Sequence, residues 1–178
     1  MKQALFRLAG TMALLAVGQA QAAEPKAAPP RPCITDAEVH GLVGYFLPNV
    51  LQEVTGKCAA FLPAEAYLRR GMPGLIERLQ AGREAAWPQA RTGFFKFAPN
   101  ERDIRAAKLS DAQLREVVDQ VLAREISIPM TADVCGEVND IAEAMAPLDP
   151  QQTIHLVAAI LNTAGRKAKS LNTCPRQG

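Results

Sequence analysis

Residue types that usually carry catalysis are scarce in this chain. Of its 178 residues two are histidine, nine are aromatic, and serine stands only at Ser110, Ser127 and Ser170. A hydrolase of the nucleophile-triad kind needs a serine or cysteine beside a histidine that a carboxylate orients. None of the three serines sits in a G-x-S-x-G elbow, and Ser110 has a simpler reading as a helix cap. So few rings also argue against a stacking surface for single-stranded nucleic acid or sugars. Gly56-Lys57 lacks the upstream glycine and the following Ser or Thr of a phosphate loop. No two cysteines have C-x-x-C spacing, and no pair drawn from the thiols, His40 and His155 has the spacing of metal ligands. Nor does an acidic pair fall in an apolar setting of the kind that makes a carboxylate dyad. The sequence therefore assigns no catalytic, cofactor-binding or metal residue, and the expectation is a non-enzyme without a cofactor.

Charge of either sign is not in excess. Twenty basic and eighteen acidic residues balance once Lys2 and Arg7 are set aside, which removes the footprint of a nucleic-acid or anionic-membrane binder. One basic cluster, Arg166, Lys167 and Lys169, falls where a helix should end and there complements its dipole.

What is present begins with the first 22 residues. Lys2 and Arg7 form a basic start, Leu8 to Val17 is almost wholly apolar, and Ala20-Gln21-Ala22 offers the small residues that signal peptidase reads. This reads as a secretory signal cleaved after Ala22. Its apolar run is about ten residues, half of the ~20 that cross a bilayer, so no transmembrane anchor is expected in the mature chain. Residues 23–32 form a Pro/Ala-rich leader, and residues 33–178 a helical domain.

Within that domain the apolar period is helical throughout, and the expectation is an all-α bundle of five to six helices. Thr35 with Glu38 makes a capping box, opening a helix whose stripe from Val39 to Val54 keeps phase through Pro48. Gly44 and Gly41 ease the proline's fit, and Gly56 should close the helix. Pro63 and Pro73 stand at first helical positions. Pro88 weakens the last turns of the second of these helices, whereas Phe94, Phe95 and Phe97 read as core anchors, with a membrane- or partner-touching tip as the alternative. Ser110 with Gln113 caps an amphipathic helix carrying Leu114, Val117, Val118, Val121, Leu122 and Ile126, which Ser127 to Pro129 ends. A helix from about Asp133 to Ala146 follows. Asp149-Pro150 then opens a last helix, apolar nearly all round from Ile154 to Leu161 and so expected at the centre.

Cys33, Cys58, Cys135 and Cys174 should form two structural disulfides in an oxidising compartment. Pairing Cys33 with Cys58 would need the first helix to fold back at Pro48, since cystine Cα atoms lie within about 7 Å. The nested arrangement, Cys33 with Cys174 and Cys58 with Cys135, is preferred over the sequential one. His40 lies on the polar side of the first helix one turn after Asp36, an i, i+4 partner or a solvated residue, and His155 is read as a hydrogen-bonded edge residue. Together these observations describe a periplasmic protein acting through contacts with a protein partner in the cell envelope. The alternative is a carrier of an apolar, lipid-like ligand between helices, with Met72, Met130, Met145, Phe94 and Phe95 supplying an adaptable lining.

Overall fold

Thr35 starts the fold as its sequence context predicts. Its hydroxyl accepts from the Glu38 N–H at 3.3 Å while the Glu38 carboxylate accepts from the Thr35 N–H at 2.7 Å, so both halves of the capping box are made. The computed structural model describes residues 32–98, 104–105, 107–125, 129–168 and 172–175, with the backbone alone for 122–125 and 167–168. All lie in one unit spanning Arg31–Gly178. The signal segment 1–22, the leader up to residue 31, Ile126, Ser127, Lys169 and Ser170 lie outside the described residues, as do the side chains of Leu122 and Lys167.

The described residues form six helices: α1 Asp36–Cys58, α2 Tyr67–Arg70, α3 Met72–Phe97, α4 Asp111–Glu125, α5 Ala132–Ala144 and α6 Pro150–Ala168. The fold is all-α with two disulfides, Cys33–Cys174 and Cys58–Cys135, the nested arrangement. Helix α1 is 23 residues long and runs through Pro48. That length, about 34 Å, keeps Cys33 and Cys58 at opposite ends. A parallel β-bridge between Ile34 and Thr173 accompanies the first disulfide, with Ile34 N–H donating to the Asn172 carbonyl and Cys174 N–H to that of Ile34. It ties the two ends of the described chain together.

Helices α1 and α3 are the spine, packed antiparallel and unusually close. A Cβ on Gly41 would lie 2.7 Å from the Ala90 nitrogen, and one on Gly93 2.9 Å from Leu42 Cδ1. Gly41 and Gly44 thus serve helix–helix approach rather than only the neighbouring proline. Pro48 has no N–H for the Gly44 carbonyl, and in the same turn Arg83 Nε of α3 donates to the Tyr45 carbonyl at 3.1 Å.

Several boundaries differ from expectation for identifiable reasons. Helix α1 passes Gly56 and ends at Cys58, whose buried cystine to α5 anchors the last turn. Around Pro63 the chain makes turns, and α2 starts only at Tyr67, where Asn139 of α5 accepts from the Leu68 N–H at 3.1 Å. Pro88 does not weaken α3, which continues to Phe97. That proline is exposed while Trp87, Ala90, Phe94 and Phe95 on the same stretch are buried, and burying three large rings outweighs the ~3 kcal/mol of an interior proline. The three phenylalanines pack in the core, as anchors. The last helix, α6, is not central. It buries Ile154, Ala158 and Asn162 against α1, but Leu156, Ile160 and Leu161 are 38%, 56% and 42% exposed. α1, with buried residues on two faces, occupies the centre instead.

Candidate functional site

Where α6 lies along α1, the side chains between them are small. Gly41 and Gly44 of α1, Ala85 and Ala86 of α3 and Ala159 of α6 leave a groove of ≈ 950 Å³. Its lining is apolar at the buried Ile154 and the exposed Leu156, and Gln89, Gln151 and Gln152 also border it. A volume of this size suits a small ligand or a protruding segment of a partner.

His40 and His155 both line the groove. Their Nε2 and Nδ1 atoms lie 3.1 Å apart, close enough for either ring to donate to the other, and the rings are nearly parallel with centroids 5.1 Å apart. His155 is a hydrogen-bonded edge residue, as its place in an apolar run suggests. The reading of His40 changes: Asp36 instead accepts from Asn162 Nδ2 at 3.1 Å, and His40 turns to the other histidine. No signal at a distance of 115 residues could have joined them in the sequence.

Two polar clusters lie outside the groove's lining. Glu38, the capping-box partner of Thr35, is only 5% exposed and pairs with Lys96 Nζ at 2.6 Å, while the same ammonium donates to the Cys33 carbonyl at 2.8 Å. Burial pushes the Glu38 carboxyl up, but hydrogen bonds from Lys96 and Thr35 outweigh it and hold the group below its ordinary value. On the other side of α1, Trp87 Nε1–H donates to Asp111 at 2.8 and 2.9 Å. Arg115 stacks over the Trp87 ring and pairs with Glu84 at 2.6 Å, and Arg83 stacks over Tyr45 and pairs with Asp119 at 2.6 Å. Tyr45 is fully buried, its hydroxyl finds no well-formed hydrogen bond among the described residues, and burial together with the nearby Asp119 carboxylate pushes its pKa up to about 12. This network clamps α4 onto α3.

The chain matches no family model, no curated protein and no solved structure. Its own geometry carries the argument.

The residues expected to line an apolar pocket do not do so together. Met72 and Phe94 are buried in different parts of the core, Met130 packs against the first of these, and none of them borders the groove. Phe95 instead borders a small cleft with Arg91, Lys96 and Arg105. The four cysteines are all disulfide-bonded. Ser110 caps α4 through Gln113, which closes off its hydroxyl. No helix among the described residues is long and apolar enough to cross a membrane. The groove was missed because its walls are glycine and alanine, residues without a motif.

Proposed function

We propose that this is an exported protein of the cell envelope that works by binding another protein, without catalysis of its own, through the α1–α3–α6 groove and the adjoining face of α6. The observation that carries the reading is the exposure of Leu156 and Ile160, one helical turn apart, with Leu156 also lining the groove. Apolar side chains in water beside a concave surface are where a partner gains most by burial. Export is supported by the basic-apolar-small pattern of residues 1–22 and by two disulfides, which persist in oxidising compartments.

Site-specific photocrosslinkers at Gln151 and Leu156, with Glu53 as a control on an exposed part of α1, test this in cells. The expected outcome is one protein adduct from the first two positions, none from Glu53, and its loss in Ile160→Lys. Native mass spectrometry of the periplasm-purified protein tests the second reading, favoured by the apolar lining residues Ile154 and Leu156. A co-purified lipid and no protein adduct would replace the partner reading with that of an apolar-ligand carrier.

A further inference from the structure

The chain contains two histidines. They come from helices that begin more than 110 residues apart in sequence and meet at the rim of the groove. Among the described residues neither pairs with a carboxylate, and the outer nitrogens, His40 Nδ1 and His155 Nε2, make no hydrogen bond. The usual structural employments of a surface histidine, an acidic partner or a backbone carbonyl, are therefore not the ones in use.

Their spacing has a chemical meaning. Imidazole nitrogens bind zinc at 2.0–2.1 Å, and two such bonds to a single ion reach nitrogens 3.1 Å apart when the angle at the metal is about 95–102°. That lies between the right angle of a square-planar site and the tetrahedral angle, within the range that Cu(II) and Zn(II) accept. We infer that His40 and His155 form a two-imidazole site for a late first-row divalent cation, bound through His40 Nε2 and His155 Nδ1. In the hydrogen-bonded pair one of the facing nitrogens carries a proton. Binding moves that proton to the outer nitrogen of the same ring, which frees both lone pairs, and rotation of the rings aims them at one point beside the N···N line. No proton leaves two neutral rings in this step.

The rest of the coordination sphere is open. Among the described residues no group of three or more histidine, cysteine and acidic side chains converges to hold a metal, so water or a donor atom from a bound molecule must fill the remaining positions. Two ligands without a fixed second shell make an exchangeable site, not a structural one. With every cysteine in a disulfide, no thiolate competes for the ion. The inference concerns the free protein and holds whatever occupies the groove.

The test is a titration of the purified, oxidised protein with Zn(II), followed through the histidine ring protons by NMR. With two histidines the spectrum is read directly on the unaltered chain. The expected result is that both sets of ring signals change together and saturate at one equivalent. His155→Gln should then weaken binding by at least about tenfold, because loss of second-shell support alone costs 10–100-fold, and His40→Gln should do the same. A response from one histidine only, absence of a response from both, or binding kept within twofold in either folded variant would overturn the assignment.

Discussion

On one side of α1, Val39, Val43 and Val54 pack with Leu68 of α2, Met72, Leu75 and Leu79 of α3, and the inner residues of α5 and α6. On the other side, Tyr45 and Phe46 meet Trp87, Phe94 and the buried Leu114 and Val118 of α4. The first region is aliphatic and covalently tied, since Cys58–Cys135 lies within it and Cys33–Cys174 adjoins the buried Ile34. The second is aromatic, contains no cystine, and is closed by arginines stacked on rings and paired with acids. The difference follows from what each peripheral helix can bury. Helix α5 is short and contributes Cys135 and Ala142 as buried residues while Ile141 is 60% exposed, too little apolar area to hold it without a covalent tie. Helix α4 adds a donor-acceptor network to its apolar contacts and needs none.

Breaking the covalent side should have the largest effect. Replacing Cys58 and Cys135 together by alanine opens a loop of 77 residues, expected to cost about 4 kcal/mol in chemical denaturation. Hydrogen exchange should rise first in α5 while α4 keeps its protection; equal loss in both would mean that the two regions unfold as one. The shared spine comes next. Gly41→Ala places a methyl against the backbone of Gln89 and Ala90, with the Ala90 nitrogen 2.7 Å away, and should cost about 2–3 kcal/mol. The control Gly82→Ala meets nothing within 4 Å and should be neutral or gain up to ~1 kcal/mol from lower unfolded-state entropy.

On the aromatic side, Trp87→Phe keeps a six-membered ring but removes the donor to Asp111 and some buried ring volume, with an expected cost of about 1–2 kcal/mol and faster exchange largest in α4. The smallest effect is set by acid. Glu38 is held below its ordinary value despite burial, and Asp111 is lowered first by its bond from Trp87. A carboxyl whose folded pKa is depressed contributes stability that is complete above its unfolded value near 4.3 for Glu, and that is lost as the pH falls through the folded one. Glu38→Gln should therefore flatten the loss of stability below about pH 4, and Trp87→Phe should flatten it independently. Acid sensitivity unchanged in Glu38→Gln would place the carboxylates responsible elsewhere.

How far the sequence is legible depends on the range of the interaction. Capping boxes at Thr35–Glu38 and Ser110–Gln113, and the pair Asp149–Gln152 that opens α6, form between residues three apart and are found where their local chemistry places them. The prolines show the limit. Pro48 lies inside α1 as the phase of its apolar stripe predicts, whereas Pro88 leaves α3 intact because Trp87, Ala90, Phe94 and Phe95 on the same stretch are buried by partners that local propensity does not contain. Glu38 is legible as a cap yet not as half of an ion pair, since Lys96 comes from another helix.

Helix content, caps and the amphipathic phase of each segment follow from neighbours within a turn or two, and the sequence alone determines them. Which cysteines pair, which face of α6 remains in water, and that His40 and His155 meet were decided in three dimensions. The physical reason is the close approach that Gly41, Gly44 and Gly93 allow along the spine. It sets where α3 and α6 lie on α1, and so which distant side chains share a surface.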